Sequence, residues 1–136
     1  MSADMRELSR RRVAEAGSLL QGEHWSGAYY LAGYAVECAL KACILSSVRK
    51  YHMPEKTAIN DSYSHDIEKL ARIAGITSAL QARQQSDTAF AVNWRLVTEW
   101  SEASRYEIKT EIEAREMMTA VTHRVRGVLP WIRKQW

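Results

Sequence analysis

The chain has 136 residues, of which 46% are hydrophobic and 26% charged, with a formal net charge of +3. This is ordinary globular composition, which excludes global disorder, and the charge alone is too mild to establish a nucleic-acid partner. Six glycines and two prolines leave too few turn signals for an all-β sandwich or barrel. No apolar run approaches the ~20 residues of a membrane span, and the start MSADMRELSRRR lacks the apolar stretch of a signal peptide.

Residues 4–21 place Met5, Leu8, Ala16, Leu19 and Leu20 near one helical face, and Gly22 reads as the stop. Residues 24–52 form the longest helical run, ended at Tyr51-His52-Met53-Pro54 because the residue before proline avoids the helical region. A polar loop follows over 53–64, with Asn60-Asp61-Ser62 as turn chemistry. Ser64 reads as the N-cap of a short helix that turns Ile67 and Leu70 inward and ends at Gly75. Further helices are predicted over Thr77–Gln85 and Asp87–Glu99. A final long helix is predicted over 106–134, carried by the stripe Ala114, Met118, Val121, Val125, Val128 and Ile132. Pro130 lies inside that stripe and should kink or restart the helix. The expectation is a single all-α domain over 1–136: an antiparallel up-and-down bundle of four to five main helices with no sheet.

Cys38 and Cys43 cannot make a disulfide framework. Five apart on one helix they point about 140° from each other, so they read as reduced, buried thiols of a cytoplasmic protein. The charge is unevenly placed. Residues 99–116 carry six glutamates against Arg105, Lys109 and Arg115. Arg124, Arg126, Arg133 and Lys134 at the end of the chain have no acid among them, and Arg6, Arg10, Arg11 and Arg12 crowd its beginning. If the two ends meet, they form one basic face suited to phosphate or to an acidic partner; the same residues also read as solvated helix faces.

The second helix has two distinct sides. Ala28, Leu31, Ala32, Ala35, Ala39 and Ala42 let a neighbouring helix come close. Tyr30, Tyr34, Glu37 and Lys41 lie within about 60° of one another on the other side. Exposed, the Glu37–Lys41 pair would contribute only about 0.2–0.5 kcal/mol. Among Val36, Cys38, Leu40 and Ala42 it is expected to be partly buried, either lining a groove or fixing helix register. No two of the four histidines are four apart and no CxxC occurs, so no metal site is expected, and no cofactor motif is found. Trp94 and Trp100 read as core. Arg105 at the start of a helix works against the dipole unless phosphate, Glu102 or Glu37 pairs with it.

The run from Ala28 to Ala42 resembles the second-helix signature of HEPN domains, with Glu37, Leu40 and Lys41 matching E-x-x-L-K. His65, Ile67 and Leu70 resemble the H-x-I-x-x-L element that follows the loop, and Trp100 with Arg105-Tyr106 resembles the W…RY segment before the last helix. The likeness spans about residues 8–133. It implies a helical bundle that works as a homodimer. Some members cleave RNA as toxins or defence effectors, some pair with a small nucleotidyltransferase, and some only bind. The cleaving members carry Arg, four to six residues, then His. Here Arg105 is followed at those positions by Thr110, Glu111 and Ile112, and Arg115 by Ala120, Val121 and Thr122. His123 lies eight residues past Arg115, about 12 Å along a helix and about 80° around it.

The resemblance therefore implies a non-cleaving module, in a toxin–antitoxin or defence setting, that binds nucleotide, RNA or a nucleotidyltransferase, with no membrane role. Its binding groove would be Tyr30, Tyr34, Glu37, Lys41, Arg105 and Tyr106. The alternatives are a metal-independent ribonuclease with an altered site drawn from Arg105, His65 and His123, and a structural dimeric adaptor without a ligand.

Overall fold

The order of the helices follows from which of their faces must leave water. The computed structural model describes residues 2–51 and 63–136, without the side chains of residues 2, 3 and 48–51. The helices are α1 (Ser2–Gln21), α2 (Trp25–Tyr51), α3 (Ile67–Ile73), α4 (Thr77–Ser86), α5 (Thr88–Thr98), α6 (Glu111–Thr122) and α7 (Val128–Arg133), with a 3₁₀ turn over Glu102–Tyr106. The described residues are predominantly helical and include no strand. The loop expected over 53–64 lies largely outside the described residues.

α2 is the centre of the bundle. Ala28, Ala32, Ala35, Ala39 and Ala42 are all fully buried, and this alanine side lets α1 pack closely enough for Ser9 Oγ to donate to the Ala35 carbonyl at 2.7 Å. A buried hydroxyl without such a partner would be costly. Gly27 meets Leu19 while Ser9 meets Ala35, so α1 and α2 run antiparallel. Ser26 receives the Lys109 amide, and the Cys43 thiol faces the Ile132 carbonyl, so α6 and α7 follow the direction of α2. One apolar cluster fills the space between, with Leu40, Ile67, Leu70, Phe90, Met117 and Leu129 among its largest side chains.

By length and composition Trp25–Ser47 is apolar enough to cross a membrane, which revises the expectation from sequence, yet 72% of that window is buried inside the bundle. Its hydrophobicity is used by α1, α3, α6 and α7. Both cysteines on it are free and buried, and burial pushes Cys38 up to about 12 and Cys43 to about 11, so both remain thiols.

Two boundaries differ from expectation. α3 is capped by Asp66, whose carboxylate accepts the Lys69 amide at 3.0 Å; Ser64 instead accepts the Asp66 amide. Gly75 does end this helix, with φ +75°, a backbone region that glycine enters without strain. The long helix expected over 106–134 is three pieces. The 3₁₀ turn ends at Tyr106, α6 begins at Glu111 under a Thr110–Glu113 capping box, and α7 restarts at Val128. The break after Thr122 is closed by His123, whose Nδ1 accepts the amides of Val125 at 3.2 Å and Arg126 at 3.0 Å. Pro130 is the third residue of α7, where its missing N–H is not needed.

Asp87 caps α5 through the Phe90 amide and pairs with Arg83 and Arg126. The Phe90 hydrogen bond first, and the two guanidiniums after it, hold its carboxyl below the usual range. A depressed carboxylate stabilises the fold above its unfolded value of about 3.9 and loses that contribution as pH falls through the folded value. We expect Asp87→Asn, which keeps a cap acceptor, to unfold at a urea midpoint between wild type and Asp87→Ala at neutral pH. Both variants should lose stability less steeply than wild type as pH falls from about 5 to about 2.

Candidate functional site

The site begins with a carboxylate in the wrong place for a charge. Glu37 sits at mid-helix on α2 and is only 2% exposed, so both its oxygens must be satisfied. Lys41, one turn later, gives its ammonium to Oε2 at 3.0 Å. His65, on the segment entering α3, brings Nδ1 to Oε1 at 2.9 Å. The other ring nitrogen meets Oε2 of Glu102 at 2.7 Å, and Glu102 Oε1 lies 3.8 Å from the Arg105 guanidinium. A row of polar contacts, Lys41–Glu37–His65–Glu102–Arg105, thus ties α2, the α3 entry and the 3₁₀ turn together. Both carboxylate contacts of His65 are hydrogen bonds at once when both ring nitrogens carry protons.

Aromatic rings stand beside this row. Trp100, just before the 3₁₀ turn, is buried and donates its indole N–H to the Tyr30 carbonyl at 3.1 Å. Its ring centroid is 5.7 Å from Tyr30, and Tyr30 is 6.0 Å from Tyr34. The indole can come this close because residue 33 is glycine: a Cβ there would overlap the ring. Arg105 lies 4.9 Å from the Tyr106 ring centroid. The Tyr106 side chain, and with a smaller effect Glu102 and Tyr30, raises the Arg105 guanidinium above its ordinary value. Burial, followed by the nearby Cys38 and Glu37, raises the Tyr34 hydroxyl, whereas Arg12 opposes this.

Two surface hollows flank the row, and their chemistry differs. One, of about 520 Å³, is bordered by His65, Asp66, Glu68, Glu99 and Glu102 and is strongly acidic. It repels phosphate. The other, of about 330 Å³, lies between α1 and α2 and is lined by Leu8, Arg12, Tyr30, Leu31 and Tyr34. It offers apolar surface, two tyrosines and a guanidinium.

Of the six groove residues expected from sequence, Tyr30 and Tyr34 line this second hollow. Arg105 and Tyr106 lie on the 3₁₀ turn next to Tyr30. Glu37 is a core residue and Lys41 is mostly buried, and neither lines the hollow. Of the residues weighed for catalysis, His65 and Arg105 share Glu102, whereas His123 is committed to the α6–α7 turn. Arg115 pairs with Glu111 and stands over Trp25. Sequence reasoning missed Arg12 as a lining residue, because nothing in Arg10-Arg11-Arg12 separates one arginine from the next. It also missed the Glu37–His65 contact, because 28 positions separate the partners. No protein-family model, curated protein or solved structure matches the chain, and among the described residues no cluster of metal-ligating side chains occurs.

The close approach at Gly33 positions both Trp100 and the 3₁₀ turn that carries Glu102 and Arg105. Gly33→Ala forces the indole away. We expect a loss of about 1–3 kcal/mol in unfolding free energy, the usual range for overpacking. Near-ultraviolet circular dichroism should also change as the Trp100–Tyr30 contact opens.

Proposed function

We propose that the chain is a HEPN-type helical module that binds nucleotide or single-stranded RNA without cleaving it. The observation that carries this reading is the α1–α2 hollow. Tyr30 and Tyr34 present aromatic surface there, with Arg12 on one bank and Arg105 on the adjacent 3₁₀ turn. Aromatic rings stack bases with little sequence preference, each contributing about 1–3 kcal/mol by alanine substitution, and guanidiniums match phosphate oxygens. Glu37 and its contacts with Lys41 and His65 do not line this hollow; they tie α2 to the entry of α3. The Arg-x4–6-His pair of cleaving HEPN domains is missing from the sequence, in keeping with binding alone.

A second reading has its own support. His65 and Arg105, both about half-exposed at 46%, meet through Glu102. In a ribonuclease, His65 released from Glu102 would take the 2′-OH proton, and that oxygen would attack the adjacent phosphorus and expel the next nucleotide's 5′-oxygen, which takes a proton from water, leaving a 2′,3′-cyclic phosphate; Arg105 would stabilise the charge that develops. The surrounding acids of the larger hollow oppose the approach of RNA there, so binding is the stronger reading.

Labelled RNA in EDTA at two salt concentrations, run on native and denaturing gels, separates the two. We expect a shifted, intact band at low salt that fades at high salt. Tyr34→Ala should weaken it by about 5- to 150-fold, the equivalent of losing one stacked base. Metal-independent cutting abolished by His65→Ala would establish the ribonuclease reading instead. Neither shift nor cutting would overturn both and leave the protein-partner reading.

A further inference from the structure

The fold brings the two basic ends of the sequence together on one ring. The Arg6 guanidinium carbon lies 5.4 Å and that of Arg10 5.5 Å from the Trp136 ring centroid. Trp136 is fixed in turn by its indole N–H, which donates to the Ala39 carbonyl of α2 at 3.1 Å. Arg133, one turn back along the chain, is close enough to Arg10 that burial and then that like charge lower its guanidinium below the ordinary value.

At this end of α1 the acids are Asp4 and Glu7, against Arg6, Arg10, Arg11 and Arg12. Glu7 is shared between Arg10 at 3.7 Å and Arg11 at 3.1 Å. Neither Arg6 nor Arg133 makes an ion pair among the described residues, and Arg6 Nε is buried with no hydrogen-bond partner. Cations that outnumber their counter-charges raise the local potential and draw in anions. A guanidinium held over an aromatic face keeps its in-plane N–H fork for phosphate oxygens.

We propose that Arg6, Arg10 and Arg133, arranged about Trp136, form a phosphate-binding surface that tracks the backbone of single-stranded RNA beyond the α1–α2 hollow. The choice of RNA as ligand rests on the function proposed above. A bilayer is the poorer fit. Among the described residues the exposed large apolar side chains are Tyr63, Val92, Tyr106, Ile108, Ile112 and Val125, and none of them belongs to α1 or α7, which disfavours insertion among lipid chains there.

The placement on α1 joins the two surfaces. Ser9 faces α2. On a helix of 3.6 residues per turn, Arg6 and Arg10 then lie on one flank of α1, and Arg12 lies about 60° to the other side of Ser9. A strand leaving the hollow at Arg12 crosses the outer face of α1, roughly 10 Å wide, to reach Trp136.

Fluorescence anisotropy on the full chain tests this, with a labelled uridine oligonucleotide of about twelve residues, a labelled mononucleotide, and a range of salt concentrations. Replacing all three arginines (Arg6→Gln, Arg10→Gln, Arg133→Gln) should remove about 2 from the slope of log affinity against log salt, since each lost phosphate contact removes about 0.7. Near 0.1 M salt that is about a hundredfold loss for the oligonucleotide, with the mononucleotide unchanged. The matching triple change to lysine should keep most of the slope. If the glutamine triple variant loses its helical circular dichroism, Arg133→Gln alone gives the same reading at one third the size.

Unchanged oligonucleotide affinity and slope in the glutamine variants overturn the proposal while leaving the hollow intact as a site. Oligonucleotide binding that the triple variant loses, with no mononucleotide bound by wild type, upholds this surface and refutes the hollow. No binding of either probe at low salt overturns both. Wild-type protein that ignores RNA but sediments with anionic phospholipid vesicles assigns the surface to a membrane and overturns the proposal as well.

Discussion

A buried carboxylate governs this structure. Moving Glu37 out of water costs several kcal/mol after relaxation, and the bundle tolerates it only because Lys41 and His65 take its two oxygens. Lys41 comes at no topological cost, being one turn along the same helix. His65 does not. It arrives from a separate segment, and its place fixes where the chain enters α3. Through its other nitrogen it also fixes the 3₁₀ turn that carries Glu102 and Arg105. One desolvated charge thereby sets the relative position of three elements, and a removed partner would leave a buried charge uncompensated.

The aromatic row is a consequence of the same arrangement. With the 3₁₀ turn anchored by Glu102, Trp100 is pressed onto Gly33 and Tyr30, and the tyrosines are held in a row with Tyr34 nearest α1. The hollow between α1 and α2 is therefore bounded by Tyr30 and Tyr34 on α2 and by the alanine face that draws α1 close. The acidic hollow on the other side of His65 has the opposite electrostatic character. The acids there disfavour a polyanion, whereas Arg12 gives the α1 side the opposite sign.

Much of the fold was legible because it is local physics. α1, α2, α4 and α5 begin and end within two or three residues of where periodicity, Gly22 and Asp87 put them. The last helix was misread because the stripe through Val121, Val125 and Val128 keeps helical spacing across a break. Val125 is in fact 60% exposed, and its amide is bound by a histidine ring. Side-chain capping of that kind leaves no periodic trace. At the site, the stripe Tyr30, Tyr34, Glu37 and Lys41 was visible, as was Glu102 as a partner for Arg105. The burial that turns Glu37–Lys41 from groove lining into a core pair depends on α3 and the 3₁₀ turn folding back over α2. The meeting of the basic ends at Trp136 was conditional on topology in the same way.

The central claim is that Glu37 and His65 act as one unit. A double-mutant cycle read by urea unfolding tests it, using Glu37→Gln, His65→Gln and the double variant. The account predicts a coupling energy of about 1–3 kcal/mol, as for a charge-assisted hydrogen bond with a buried partner. A coupling below about 0.5 kcal/mol, the size of an exposed pair, would mean that Glu37 is held without His65. The tie between the core and the candidate site would then be contradicted.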